Sequence, residues 1–419
     1  MMRYEYLIVG GGPASVWAAQ SIRETDREGR ILIVGDEPHP PYDRPPLSKG
    51  MIARDNMAVD DPYTKFDDFY PKNAIELMKG VRVTAVDRGR RQVSLADGRV
   101  LEYDRLLLAT GSRPIVPDIP GVKRPGVYLL RTIEDALAIR AALQQGPRVL
   151  VVGGGYIGME VASSARARGL EVTVVEQAGY PWARFASPGL GRFLQGYYER
   201  QGVRFITGES VVGFEGAGSE GPLNAVLTAG GERIPADCAI VGVGAALNVE
   251  LAQAAGLEAG AGGIRVDSCL QTPDPCIWAA GDVACFPDPM VGDHWHVEHH
   301  LNAKWQGQTV GRNMAGARET YDRVAYFFSD VFDIHMILRG RPGIGGHSVF
   351  VGDVPEAEFT ELYYDDTGRL TMGICISHEE KRTDEVADIL EAAIRRGVNI
   401  RQHEAAMQRP DFDLATLVE

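Results

Sequence analysis

Two glycine-rich runs in this chain have the spacing needed to hold a dinucleotide. Residues 4–19 read Tyr-Glu-Tyr-Leu-Ile-Val-Gly-Gly-Gly-Pro-Ala-Ser-Val-Trp-Ala-Ala. Gly10 permits a sharp turn, and Gly12, with no Cβ, lets a pyrophosphate approach the backbone. The amides of Ala14 and Ser15 then point at it from a helix that opens at Pro13. Ser15 stands where a third glycine is usual. A glycine turn after a strand also occurs in folds that bind nothing, so one copy decides little. The second copy is Gly153-Gly154-Gly155-Tyr156-Ile157-Gly158, after the apolar run 148–152. Two cradles predict two dinucleotides.

Each cradle is followed by acid at the end of the next apolar run. Asp36, with Glu37 behind it, comes 26 positions after Gly10, and Glu176 comes 23 positions after Gly153. A carboxylate there accepts from the hydroxyls of an adenosine ribose. At Glu176 it would also repel a 2′-phosphate, so the second nucleotide is expected to be NAD(H) rather than NADP(H). A surface acid at a strand end or helix start is the alternative for each. Four histidines crowd residues 294–300, His294, His296, His299 and His300, a grouping that could bind metal. No accompanying acid pattern supports a metal site, and none is expected.

The elements that must position these groups are those of a soluble α/β protein. In 419 residues, 45% are apolar and 24% charged, which is ordinary for a globular chain of two or three domains. The net charge of −14, without a long basic run, makes nucleic acid an unexpected partner. The five cysteines, all beyond residue 237, form no Cys-x-x-Cys pair and read as buried thiols of a reducing compartment. The first strand is expected to begin within about five residues of Met1, so no leader segment is expected. No apolar run reaches the roughly 18 residues that a membrane span needs, so a cytoplasmic location is expected.

Further along, Pro40-Pro41-Tyr42-Asp43-Arg44-Pro45-Pro46-Leu47-Ser48-Lys49 is too proline-rich for a helix or central strand and predicts a stiffened loop. Short apolar runs over 81–108 predict a small antiparallel insertion ending in Ala109-Thr110-Gly111. From about Glu319, aromatic and β-branched runs at 325–332, 348–351, 358–364 and 370–376 precede a predicted helix over 384–396.

The run Pro-Tyr-x-Arg-Pro-Pro-Leu-Ser-Lys resembles the flavin loop of ferredoxin reductases from oxygenase systems and of apoptosis-inducing factor. A solvated loop with two ordinary cations is the alternative. Three further motifs strengthen the resemblance: Ala109-Thr110-Gly111, Leu130-Arg131-Thr132 and the Gly281-Asp282 strand end. Val297-Glu298-His299-His300 is similar to the Glu-His-His of apoptosis-inducing factor and tilts the reading toward that branch. Phe327-Phe328-Ser329-Asp330 is similar to the Phe-Trp-Ser-Asp of both branches. There Phe328 is either a flavin contact or core.

The resemblance implies two Rossmann-like domains of glutathione reductase type plus a C-terminal α+β interface domain. An FAD-binding domain would comprise 1–118 and 246–318, an NAD(H)-binding domain 119–245, and the interface domain 319–419. FAD would be held by Gly10, Gly12, Pro13, Ala14, Ser15, Asp36, Glu37, Arg44, Lys49, Arg82, Thr110, Gly111, Arg131, Asp282, Glu298, His299 and Phe328. NAD(H) would meet Gly153, Gly155, Tyr156, Ile157, Gly158, Glu160, Glu176 and Gly244. Lys49, Glu160 and His299 would serve the chemistry: Lys49 pairs with Glu160 at rest, Tyr156 moves for nicotinamide to stack, and His299 lies at the flavin pyrimidine edge. The implied activity is hydride transfer from NADH to FAD, with a long-lived charge-transfer complex on the apoptosis-inducing-factor side. Electrons would pass to a ferredoxin, a quinone or oxygen. A different class of function, an NADH sensor that becomes a homodimer on reduction, stays open beside it.

Overall fold

The first strand, Met2–Val9, is buried along its Tyr-Leu-Ile-Val end and pairs in parallel with Ile31–Val34 on one side and Val100–Leu108 on the other. Ile75–Met78 extends this sheet beyond Ile31–Val34. Val100–Leu108 is shared: Gln92–Leu95 joins its first half antiparallel, and Ile277–Ala279 joins its last residues in parallel. Val83–Asp87 completes the antiparallel insertion expected from the sequence. This computed structural model describes every residue except 1, 67, 219, 220, 408, 410 and 411. The chain divides into two units, of which the first comprises Met1–Arg44, Asp60–Arg113 and Ala245–Arg323.

Within that unit the cradle helix Pro13–Thr25 lies against the helix His300–Met314. Gly307 and Gly311, one turn apart, allow the approach. A Cβ at Gly307 would stand 2.5 Å from the Ala14 carbonyl oxygen, and one at Gly311 2.4 Å from that of Ala18. Any side chain there would push the two helices apart.

The second unit comprises Pro45–Val59, Pro114–Gly244 and Val324–Glu419. Its parallel sheet runs in the order Val203–Thr207, Glu171–Glu176, Arg148–Val152, Cys238–Val241, Val127–Tyr128. A three-stranded antiparallel sheet, Val211–Gly216, Leu223–Thr228 and Arg233–Pro235, shares apolar core with it through Phe214, Val226 and Ile234. The C-terminal residues form an antiparallel sheet in the order Tyr326–Val331, Ile334–Gly340, Leu370–Ser377, Glu358–Tyr364, His347–Asp353. The amphipathic helix Glu380–Arg396 seats Leu390 over Gly373, where a Cβ would come within 2.4 Å of Leu390 Cδ2. Gly397, at φ +64°, ends that helix in the left-handed conformation that glycine adopts at least cost.

Two local expectations fail. Pro45–Ser48 is a helical turn rather than an irregular loop, because prolines in a first turn forfeit only amides that have no intrahelical partner. The strand Ile334–Gly340, absent from the sequence reading, sits inside the C-terminal sheet between Tyr326–Val331 and Leu370–Ser377. A tight turn at Phe332, φ +53°, joins it to the preceding strand, and no glycine or proline marks that turn in the sequence.

Candidate functional site

The two cradles are built alike. Gly10 (φ +129°) and Gly153 (φ +101°) each turn the chain where an L-residue would be strained, and a Cβ would strike backbone: Ala109 O at 2.1 Å and Gly242 O at 2.4 Å. Gly12 and Gly155 cap their helices in extended conformation, and a Cβ on either would meet nothing within 4 Å among the described residues. That space is what a pyrophosphate requires. At the third position the copies differ. A Cβ at Gly158 would lie 2.0 Å from Gly153 O, whereas Ser15 is accommodated. Ser15 is fully buried and its hydroxyl has no partner among the described residues, a donor left for a ligand.

Around the first cradle, Glu37 accepts from Arg44 at 2.8 Å and from the Tyr42 hydroxyl. Asp36 is half exposed and meets Arg82 at 3.2 Å. Thr110 Oγ1 donates to the Asn248 carbonyl, and the Asn248 amide returns a bond to the Thr110 carbonyl, fixing the Ala109-Thr110-Gly111 strand end. Asp282, after Gly281, accepts from Ser112 Oγ at 2.7 Å. His299 caps the helix His300–Met314, its Nδ1 accepting from the Leu301 amide, so the neutral ring carries its proton on Nε2. Glu298 faces His296 at 3.2 Å, and His300 lies 3.6 Å from Asp43. Burial, more than the charge of nearby Lys304, lowers the His300 pKa, while Asp43 opposes that change. Among the described residues no group of three or more His, Cys, Asp or Glu is arranged to hold a metal.

Around the second cradle, Glu176 accepts from the Gly154 amide at 2.5 Å and the Ala178 amide at 2.7 Å, which ties the acid to the glycine turn. Ile157 is exposed and Gly244 turns at φ +122°, its carbonyl accepting from Ile115 N. Thr132 closes a capping box with Asp135, whose carboxylate also accepts from the Arg131 amide.

Lys49 and Glu160 come together, with company that the sequence does not announce. Lys49 Nζ is 3.5 Å from Glu160 Oε1 and only 2.9 Å from Asp330 Oδ2, and it lies 4.9 Å over the Phe328 ring. Glu160 also accepts from Ser48 Oγ at 2.5 Å and Ser329 Oγ at 2.7 Å. Asp330 accepts in addition from His335 at 2.8 Å. Burial raises the Glu160 carboxyl above its ordinary range, more than Lys49 and the two hydroxyls can offset. Burial would raise Asp330 too, but Lys49 and His335 outweigh it and hold that carboxyl low. The lysine charge therefore belongs chiefly to Asp330. These partners lie beside residues that the motifs name, Ser48 next to Lys49 and Ser329-Asp330 within the run quoted for its aromatics, but the motifs do not mark them as partners of one another.

Tyr156 heads the second cradle helix inside an aromatic group. Its ring is 4.3 Å from Trp182, 4.9 Å from Phe185 and 6.0 Å from a nearly parallel Phe327. All five cysteines are free thiols. None stands near either cradle in sequence, so the chain has no dithiol there to carry disulfide exchange.

Comparison with known proteins agrees with this arrangement. The family model of the Pyridine nucleotide-disulphide oxidoreductases matches residues 4–307. A probable ferredoxin reductase of Castellaniella defragrans is 38% identical over 361 residues, covering 86% of this chain and 87% of that protein. The putidaredoxin reductase of Pseudomonas putida is 37% identical over 361 residues, covering 85% of each. Among solved structures, the ferredoxin reductase of the CYP199A2 system from Rhodopseudomonas palustris superposes with a TM-score of 0.91 at 32% identity, covering 99% of this chain and 100% of that one. A covalent putidaredoxin reductase–putidaredoxin complex superposes at 0.92 with 32% identity, covering 100% and 99%. With two glycine cradles, an acid at the end of each following strand and a family match across both, the chain belongs to the pyridine nucleotide-disulphide oxidoreductase family and is an oxidoreductase using FAD and NAD(H).

Proposed function

We propose that this protein is the NADH-dependent ferredoxin reductase of an oxygenase or P450 electron-transfer chain. The observation that carries the reading is the pair of open cradles, Gly12 with the buried Ser15 hydroxyl and Gly155 with Glu176, in a chain whose relatives reduce ferredoxins by name. FAD would occupy the domain of residues 1–118 and 246–318, NAD(H) that of 119–245, with 319–419 as the interface domain.

FAD, when bound, supplies a ring that takes two electrons as hydride and gives them up singly. One NADH is oxidised, two one-electron acceptors are reduced and one proton is released. The chain's own residues bind, orient and restrain. Gly12, Ser15, Arg44, Thr110 and Asp282 would hold the flavin dinucleotide; Gly155 and Glu176 would hold the pyridine nucleotide. Tyr156, which the family resemblance puts where nicotinamide would stack, would have to yield its place on binding. Lys49, shared by Glu160 and the half-exposed Asp330, would give the buried Glu160 a cationic partner near the start of the second cradle, so that this acid is not left unpaired.

Glu298-His299-His300 and the buried Lys49–Glu160 contact favour a second reading, in which reduction is slow, the reduced complex persists and a homodimer forms. The relatives named above favour the ferredoxin reductase instead. Steady-state turnover with NADH and a [2Fe–2S] ferredoxin, paired with size-exclusion chromatography before and after anaerobic NADH addition, separates the two. Brisk ferredoxin reduction with an unchanged elution volume is expected. Slow turnover with any acceptor, a quinone included, and a shift to larger size would replace this reading with the sensor.

A further inference from the structure

The C-terminal sheet turns one face toward the helices of the second cradle, and antiparallel register identifies its members. Phe327 lies opposite Leu338, and Ser329 opposite Met336. These continue through Ile374 and Ile376 to Glu361 and Phe359, with Tyr363 opposite Met372. Strand alternation puts all of them on one side. Across these four strands the face is apolar except for Ser329, Glu361 and Tyr363, and the edge strand His347–Asp353 adds Ser348 opposite Tyr363. Ser329 is engaged by Glu160.

Glu361 is fully buried, and a carboxylate at such a position needs a reason, since an apolar residue would cost less. One of its oxygens accepts from the Tyr363 hydroxyl at 2.5 Å; the other has no partner among the described residues. The Tyr363 oxygen in turn accepts from the Ser187 amide at 2.9 Å. Donation to a carboxylate makes that phenol oxygen a stronger acceptor. Ser187 is the N-cap of the helix Pro188–Arg200 and ends the segment 177–187. That segment is tied at its middle as well. The Trp182 amide donates to the Gly154 carbonyl, and the Trp182 carbonyl accepts from Phe185 and Ala186. Trp182 holds φ at +62°, a conformation its neighbours must enforce. Among the described residues Trp182 and Phe185 are two of the three rings around Tyr156, and the third, Phe327, belongs to the sheet face itself.

We infer that Glu361 and Tyr363 form a latch that holds the segment 177–187, and with it Trp182 and Phe185, against Tyr156, and so sets how readily Tyr156 gives way to nicotinamide. They are positioning residues with no contact to substrate of their own. The inference rests on the reading above that Tyr156 yields to nicotinamide. If the binding-competent state requires Tyr156 to leave its aromatic group, weakening the latch populates that state and tightens apparent NADH binding.

Anaerobic stopped-flow reduction of the holoprotein over a range of NADH concentrations tests this, giving an apparent Kd and a limiting rate. Tyr363→Phe removes the acceptor of the Ser187 amide. It should lower the NADH Kd about 2- to 10-fold, the span of one net hydrogen bond, while lowering Tm. Glu361→Gln keeps an acceptor for the phenol and should move Kd in the same direction by less. In a Tyr156→Ala background Tyr363→Phe should change Kd no further. A purely structural pair would lower Tm and leave Kd unchanged or weaker, and that result in both variants overturns the latch. Equal effects of Tyr363→Phe with and without Tyr156 also overturn it. If Tyr156→Ala alone leaves Kd and limiting rate at the wild-type values, the failure lies in the reading of Tyr156, a result distinct from the other two.

Discussion

Exchanging Glu160 for glutamine probes the buried charge cluster through the pH dependence of stability. Glu160 accepts from Ser48 and Ser329 and faces Lys49 at 3.5 Å. An amide of the same shape keeps one acceptor oxygen, and its NH₂ can donate to the second hydroxyl after that hydroxyl rotates. Lys49 retains Asp330 at 2.9 Å. No partner is orphaned, so where the carboxyl is protonated the variant should match wild type within about 1 kcal/mol. The folded carboxyl pKa is raised above the ordinary 4.5, chiefly by burial. A group that binds its proton more tightly when folded contributes stability that is complete below its unfolded pKa and is lost as pH rises through its folded pKa. Wild type therefore loses stability as pH climbs from about 4.5 to the raised value, by about 1.4 kcal/mol for each pH unit that separates the two, and Glu160→Gln is spared that loss. The variant's advantage should open above pH 4.5 and level off once the wild-type carboxyl has ionised. At roughly 2–4 °C per kcal/mol for a domain of some 150–250 residues, the difference is measurable by thermal unfolding of the holoprotein in half-unit pH steps. A Tm difference independent of pH, or an advantage that shrinks with rising pH, would refute the argument.

Glu176→Ala removes a charged acceptor at the second cradle, and at roughly 1.5–3 kcal/mol for a hydrogen bond to a charged group it should weaken NADH about 10- to 150-fold by titration. Wild type that reduces equally well with NADH and NADPH would contradict the assignment of Glu176. Gly158→Ala places a Cβ 2.0 Å from Gly153 O, so the helix must shift. About 1–3 kcal/mol of stability and much of the NADH affinity should go together, while bound flavin stays at wild-type content. The purified protein should be yellow, and denaturation should release one FAD per chain; a colourless protein that FAD cannot reconstitute would end the reading.

Much of this molecule is legible from its residues because the pertinent signals are local. Gly10 and Gly153 need positive φ, Gly12 and Gly155 need open space, and Asp36 and Glu176 follow at strand ends, all within about 30 residues of each turn. Hydrophobic runs then place the strands of both cradle sheets, and the capping residue Thr132 marks its helix. The Pro45–Ser48 turn is misread from sequence because two prolines look like breakers unless they occupy a first turn. The strand Ile334–Gly340 escapes because its turn at Phe332 carries no glycine or proline and is held by pairing on both sides.

What tertiary structure alone decided is the partnering of charges that lie far apart in the chain. The family resemblance suggests Lys49 with Glu160, but nothing in the sequence says that Asp330, 281 residues from Lys49, stands closer to the lysine and competes for it. Nor does it say that Glu361, on a strand that reads as plain β-sheet, is buried with no ion-pair partner among the described residues and reaches a helix cap through Tyr363. Turns and strands follow from interactions between near neighbours, whose geometry the chain itself constrains. A buried carboxylate's pKa and partners depend on which distant segments exclude water from it, and that is settled only when the sheets and helices close over one another.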